Sequence, residues 1–507
     1  MFDYQVVIHF LKNRFQKRDL VYLGLLILAF FLTRLINIDK FPIFVDEGIY
    51  IRWAKTAWHD AAWRFISLTD GRQPLQTWAT IPFLKLFPDN LLLGGRLFSV
   101  FTGFLSLIGL YGLMFYIIDK KAAYIAGIFY IFTPFFLFYD RLALVDSAVN
   151  AGFVWIFMFS VILVGQLRLD VALIFGIISG FALLTKSSDR MFVMLSALAP
   201  ILTFSKNLKK TISNAVNFYI LFTITLILTL LMYNIQRLSP YFHYVAVKNT
   251  TFVMTFGDFL QNPFAGFLSN LKLVPLYVFW EMGWFTVIFS ALGGYLLYRQ
   301  NKRLFLYIAL WLALPYLAIS LFARVIFPRY LIFFATLFLI LATYFFSQLK
   351  IERLRKVSFI FLFATFLFFD FAIIFQPTKI SLPPVDRGQY IEGISAVWGA
   401  QDLVKYVQQK SQEKPVIMLA EGDFGLVADV LSVFIKPEDK INLVGLWPLT
   451  EKDIFAHQKD IKDHYVYIVF SHREEFPSDW PVKLVKKYTK PVGDKVLYLF
   501  ELLPKKE

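Results

Sequence analysis

The chain has 507 residues, 58% hydrophobic and 17% charged, where a soluble domain is nearer a quarter charged. With 59 Phe, that balance excludes an ordinary soluble globular protein and points to a polytopic membrane protein. No cysteine is present, which excludes disulfides and thiolate metal sites, and the net charge of +15 is assigned to membrane-flanking loops, so nucleic acid is set aside as a partner.

In chain order, Lys12, Arg14, Lys17 and Arg18 precede an apolar run over 20–35. The run is longer than a signal h-region and lacks a small-residue cleavage site, so it reads as a retained first span. Eleven candidate spans result, at about 20–37, 91–118, 122–138, 143–165, 170–185, 191–205, 212–233, 273–298, 304–322, 330–348 and 357–376. With residues 1–19 placed in the cytoplasm, the basic clusters around Lys120, Lys209, Arg303 and Arg355 all fall inside. The short outer loops then keep Arg141, Lys186, Arg190, Arg324 and Arg329, as the positive-inside rule requires.

Three outer segments are long. Residues 38–90 carry Trp53, Trp58, Trp63 and Trp78 among apolar residues at three- and four-residue steps, which predicts helices lying in the membrane interface. Residues 234–272 are polar and aromatic and hold His243, read as an ordinary loop histidine. Beyond residue 376, Pro377, Pro383 and Pro384 mark a linker, after which charge rises and spans vanish. A helix-like stretch at 401–412 and strand-like runs at 415–420, 441–446, 465–470 and 495–502 predict a small α/β unit. The expected fold is an α-helical polytopic membrane protein of about eleven spans over 20–376, followed by a linker and a C-terminal extracytoplasmic α/β domain over 377–507.

The most informative motif is Asp46-Glu47, just past the first span. Adjacent carboxylates at a membrane face are costly to desolvate and call for a role. The competing explanation is a helix N-terminus with acidic residues in its first turn. The outer loops add Arg72 in Asp70-Gly71-Arg72-Gln73-Pro74-Leu75, Arg141 and Asp146 in one turn, Lys186 in the next, and Arg329 between Pro328 and Tyr330. Arg141 with Asp146 also suits a loop ion pair, and Arg329 also suits snorkelling to the interface. Glu281, within the eighth span, is a site candidate whose partner the sequence does not give. Carboxylates among Arg and Lys at a membrane face suit transfer from a lipid phosphate: a carboxylate takes a proton and the cations hold the departing phosphate. No tight His/Asp/Glu cluster is present, so no metal or other cofactor is assigned, and a divalent ion is unsupported.

The order of these motifs resembles a known family. Asp46-Glu47 with Tyr50 behind it, Arg72-Gln73-Pro74-Leu75, Gly95-Arg96-Leu97, Arg141 through Asp146, Leu183-Leu184-Thr185-Lys186 and Pro328-Arg329-Tyr330-Leu331 look like the C-type integral-membrane glycosyltransferases. The likeness is to glycosyltransferase family 39, the protein O-mannosyltransferase and aminoarabinose-transferase-like branch, over roughly residues 20–350. It implies inverting transfer of a sugar from a polyprenyl-phosphate donor to a glycan, lipid or protein acceptor at the outer face of the plasma membrane. It also implies that Asp46 is the catalytic acidic residue with Glu47 as its acidic neighbour. Arg72 would bind donor phosphate, and Arg141, Lys186 and Arg329 are further phosphate candidates. Gln73 replaces a family Pro, and Gly71 stands where some relatives carry a metal-binding Glu. The rival from another class is a lipid or polysaccharide transporter, for which an internal repeat or midplane polar residues are expected. An oligosaccharide transferase acting on Asn ranks lower, because its Trp-Trp-Asp signature is not in the sequence.

Overall fold

The computed structural model describes residues 16–422 and 427–504. Lys12, Arg14 and most of the expected cytoplasmic N-terminus lie outside the described residues.

The first span is α1 (Lys17–Leu35), followed by the two-residue strand β1 (Ile43–Phe44) and the helices α2 (Val45–His59) and α3 (Leu75–Leu86). The long segment after the first span is therefore helical, as its periodicity predicts. Next come α4 (Leu91–Ile117), α5 (Lys120–Phe132), α6 (Pro134–Tyr139), α7 (Asp146–Gln166), α8 (Leu169–Thr185), α9 (Asp189–Ser196) and α10 (Leu208–Tyr233). The segment over 234–272 holds α11 (Tyr244–Phe252) and α12 (Phe256–Gln261). The remaining membrane helices are α13 (Phe267–Met282), α14 (Trp284–Gln300), α15 (Lys302–Phe322), α16 (Ile332–Gln348) and α17 (Glu352–Phe375).

All eleven expected spans fall on helical segments, of which fewer are long and apolar enough to cross a bilayer as single helices. Among the described residues seven helices are long and apolar enough, or eight if the pair α13–α14 is one span. That pair bends by 107° at Gly283, whose φ of +79° no helix interior accommodates. Expected span 122–138 breaks where Pro134 cannot donate an N–H, leaving α5 and α6. Helix α8, at 17 residues, is short for a span, and expected span 191–205 is the eight-residue α9 plus a 3₁₀ turn. Apolar run length fixed these as helices; what it misses is the backbone break that shortens them.

A sealed ion pair lies in the bundle interior. Arg34, at the end of α1, reaches Asp140 after α6 at 3.2 Å, and both are fully buried. Ser147 Oγ donates to the same carboxylate at 2.7 Å and Tyr130 at 3.2 Å. Such saturation is what makes a buried pair tolerable in an apolar bundle.

The C-terminal part contains α18 (Pro384–Arg387), β2 (Ala396–Val397), α19 (Ala400–Glu413), β3 (Val416–Glu421), α20 (Val427–Phe434), β4 (Ile441–Leu446), α21 (Glu451–Ala456), β5 (Tyr465–Phe470), β6 (Val482–Thr489) and β7 (Val496–Leu502). Its sheet runs β4-β3-β5-β7-β6, parallel across β4, β3 and β5 and antiparallel through β7 to β6. The sequence reading anticipates four of these five strands. The fifth, β6, is an edge strand carrying Lys483, Lys486 and Lys487, and those charges hide its strand pattern while guarding the edge.

This unit is stitched to the helix bearing Asp46. Strand β2 pairs antiparallel with β1, Ile43 opposite Val397, and the Val45 N–H donates to the Ser395 carbonyl at 3.0 Å. Helix α20 lies on α2 so closely that a Cβ on Gly48 would stand 2.9 Å from the Val430 nitrogen. Arg52 pairs with Asp429, and Lys55 Nζ donates to the carbonyls of Ser432 and Ile435 at 3.2 and 2.8 Å.

Candidate active site

Asp46 and Glu47 occupy the first turn of α2, where the helix dipole favours negative charge. Successive helical residues point about 100° apart, and here the two carboxylates take opposite roles. Glu47 is completely buried. Its Oε1 accepts from Arg96 Nε at 2.8 Å and from the Ala143 N–H at 2.8 Å. Its Oε2 accepts from Arg96 Nη2 and from the Phe44 N–H, both at 2.9 Å. Arg96 also donates to the carbonyls of Ile38, Phe41 and Pro42. Glu47 therefore has no lone pair directed at a cavity. It clamps α2, α4 and the chain after α1 into one frame.

The Asp46 side chain is 16% exposed and faces cations from distant parts of the chain. Arg329 Nη2 donates to its Oδ2 at 3.0 Å, and Arg72 Nη2 lies 3.6 Å from Oδ1. Burial alone would raise the Asp46 carboxyl, but the Arg72 and Arg329 guanidiniums outweigh it and hold the group below the usual carboxylate range. Arg72 is aimed by its loop. Gly71 closes a 3₁₀ turn at φ +67°, and a Cβ there would stand 2.3 Å from the Tyr244 carbonyl, so glycine is needed for both conformation and space. Asp70 holds Arg72 Nε at 2.9 Å, and the Arg72 guanidinium lies over the rings of Tyr50 and Trp53 at 5.2 and 5.9 Å. Burial raises the Tyr50 hydroxyl above its ordinary range.

Lys186 stands at the end of α8, paired with Asp146 at the start of α7 at 2.9 Å and set over the Tyr330 ring at 4.1 Å. Burial would lower its ammonium, but Asp146 overrides that and raises it. Gln73, beside Arg72, donates to Ser187 Oγ at 2.6 Å, which ties the Arg72 loop to the Lys186 turn. Arg329 lies among the rings of Phe44, Phe327 and Tyr330 and donates to the Tyr390 hydroxyl at 3.1 Å. Asp46, Tyr50, Arg72, Asp146, Lys186 and Arg329 thus cluster as expected from the sequence.

Two expected residues stand apart. Arg141 donates to the carbonyls of Thr33 and Arg34 at 2.7 and 2.9 Å, capping the end of α1 rather than facing Asp46. Glu281 is buried just before the Gly283 bend, away from Asp46. Three residues near the site were given no site role from the sequence. Lys248 on α11 binds Asp70 at 2.6 Å, and as a lone lysine in a long loop it carries no signal. Tyr390 and Asp386 belong to the linker, where only an aromatic-apolar patch after Pro383-Pro384 marks them. Among the described residues no group of three His, Cys, Asp or Glu side chains could hold a metal ion.

The arrangement presents four cations, Arg72, Lys186, Lys248 and Arg329, with three carboxylates, Asp46, Asp70 and Asp146. It suits an anionic ligand beside a carboxylate that stays ionised. The chain is a multi-pass membrane protein with the C-type glycosyltransferase fold and a small C-terminal sheet unit. A sequence family described as "Dolichyl-phosphate-mannose-protein mannosyltransferase" matches residues 72–233, which bears out the resemblance to glycosyltransferase family 39. ArnT from Cupriavidus metallidurans, solved bound to undecaprenyl phosphate, is similar at a TM-score of 0.60 and 12% identity, over 95% of this chain and 97% of that one. Its apo state gives a TM-score of 0.57 at 14% identity with the same coverage. The archaeal oligosaccharyltransferase AglB from Archaeoglobus fulgidus, solved with an inhibitory peptide and a dolichol-phosphate, is similar at a TM-score of 0.52 and 12% identity, over 91% of this chain and 70% of that one. At the sequence level no curated protein matches the chain.

Proposed function

We propose that this protein transfers a sugar from a polyprenyl-phosphate donor to an acceptor hydroxyl, with inversion, at the outer face of the plasma membrane. The single observation that carries the reading is the ionised Asp46 carboxylate held between Arg72 and Arg329. The donor phosphate enters among Arg72, Arg329 and Lys186 and draws their charge from Asp46. Released from those cations, Asp46 becomes a stronger base. The acceptor oxygen then attacks the anomeric carbon as Asp46 takes the hydroxyl proton, and the bond from that carbon to the phosphate oxygen breaks. The polyprenyl phosphate leaves as an anion on the same cations. Asp146 and Tyr50 set the positions of Lys186 and Arg72. The matched family and the ArnT and AglB folds support an enzyme over a transporter.

The orientation is part of the proposal: the N-terminus is cytoplasmic, the candidate site faces outward, and residues 377–507 form a linker and an extracytoplasmic α/β domain. The distribution of Lys and Arg supports it. Purified protein in liposomes, given a labelled polyprenyl-phosphate sugar and cell-envelope acceptors, is expected to release free polyprenyl phosphate together with a new glycoside found by mass spectrometry. Movement of the labelled lipid between leaflets with no glycoside formed would overturn the reading in favour of a transporter.

A further inference from the structure

A second feature lies at the opposite end of the bundle from Asp46. Helix α1 has 19 residues, about 28 Å at 1.5 Å per residue, and Asp46 follows its C-terminal end while this feature adjoins its N-terminal end. There, the starts of α1, α5 and α17 and the end of α16 enclose a groove of about 690 Å³. Its rim carries Arg18, Lys120, Lys121, Arg355 and Lys356. Lys120 pairs with Asp19 at 2.8 Å and Lys356 with Glu352 at 2.8 Å. Arg18, Lys121 and Arg355 meet no carboxylate within ion-pair distance among the described residues; Lys121 Nζ donates only to the Ser347 carbonyl. Beneath the rim the walls are apolar: Ile125 and Ile128 on α5, Phe359 and Ile360 on α17. Tyr22 and Tyr124, edge to face at 6.0 Å, stand between the charged and apolar levels.

We propose that this groove binds one anionic glycerophospholipid from the bilayer leaflet on that side, its phosphate among Arg18, Lys121 and Arg355 and an acyl chain along each apolar wall. The uncommitted positive charge calls for an anion. The apolar walls favour a lipid over a free phosphate, and two walls from two helices favour a two-chain lipid over a single polyprenyl chain. The tyrosines sit where amphipathic rings settle between headgroup and hydrocarbon. This site is separate from the proposed catalytic one and stands or falls independently of it.

Native mass spectrometry of the delipidated full chain tests the proposal, with dioleoyl phosphatidylglycerol, dioleoyl phosphatidylcholine and undecaprenyl phosphate as probes. The wild type should retain one phosphatidylglycerol in preference to phosphatidylcholine. K121Q/R355Q should weaken that retention roughly thirtyfold, and K121R/R355K should preserve it. Equal retention of phosphatidylcholine, unchanged phosphatidylglycerol retention in K121Q/R355Q, or preferential retention of undecaprenyl phosphate that K121Q/R355Q abolishes would each overturn it. If K121Q/R355Q fails to fold, R18Q, at an exposed position in the first turn of α1, gives the same test with a single charge removed.

Discussion

Asp46 and Glu47 are neighbours in the chain and opposites in the structure. Glu47 is sealed, with four hydrogen bonds from Arg96 and two backbone N–H groups. Asp46 keeps partial exposure, and its partners are the guanidiniums of Arg72 and Arg329, from two segments far apart in the chain. A carboxylate whose every lone pair is filled by the frame fixes geometry, whereas one held by cations that an anionic substrate can draw away is poised for chemistry. One turn of helix thus serves both the rigid frame and the reactive face, because adjacent side chains leave it about 100° apart.

The largest effect that would break this contrast is on Asp46. Asp46→Asn keeps the shape and removes the base, so sugar transfer should fall by about 10²- to 10⁴-fold while thermal unfolding in detergent hardly changes. Retained transfer would remove Asp46 from the base role. Glu47→Ala should behave in the opposite sense. It leaves Arg96 buried without its partner, and stability should fall by about 3–5 kcal/mol, read as a lower unfolding midpoint and less folded protein in the membrane. Full stability with lost transfer would mean that Glu47 acts in the chemistry after all.

A subtler test uses pH. In the wild type the two guanidiniums keep Asp46 below the usual carboxylate range despite burial. The acid limb of kcat/KM should therefore lie below about pH 4, so activity is flat from there towards neutrality. Arg329→Gln removes one cation and leaves the burial, so the folded-state value rises and the acid limb moves upward in pH. Any stability that Asp46 contributes is present above its unfolded value and disappears as pH falls through the folded one; that window narrows in the variant. An acid limb that stays in place would show that Arg329 does not set the ionisation of Asp46.

Much of this arrangement is legible in the sequence because lone charges beside apolar runs stand out. Asp46 and Arg72 stand in the outer segment after the first span and Lys186 and Arg329 at span ends, and the fold brings them together. Glu47 and Arg141 carry the same signal yet belong to the frame, because sequence position does not reveal which lone pairs backbone N–H groups and carbonyls already occupy. Hydropathy is blind to the backbone breaks at Pro134 and Gly283, so the helices there are shorter than the apolar runs suggest. Lys248, Asp386 and Tyr390 were hidden because their neighbours in space lie some 60 to 250 residues away, in partners no local pattern encodes.

The smallest expected effect bears on whether the C-terminal part is a bystander. Tyr390, in the linker, is buried against Phe44 with ring centroids 4.7 Å apart, and its hydroxyl accepts from Arg329. The β1–β2 pairing holds this linker to the start of α2, so the tail touches the candidate site through Arg329 rather than through substrate. Tyr390→Phe keeps the ring and deletes the hydrogen bond, about 1 kcal/mol or roughly fivefold in kcat/KM. Arg329 then loses a fixed direction but keeps its charge, so the acid limb should move less than in Arg329→Gln while donor KM rises. A Tyr390→Phe protein with wild-type kinetics would mean that Phe44 and the ring stack alone position Arg329 and that the tail influences the site only through the backbone of α2.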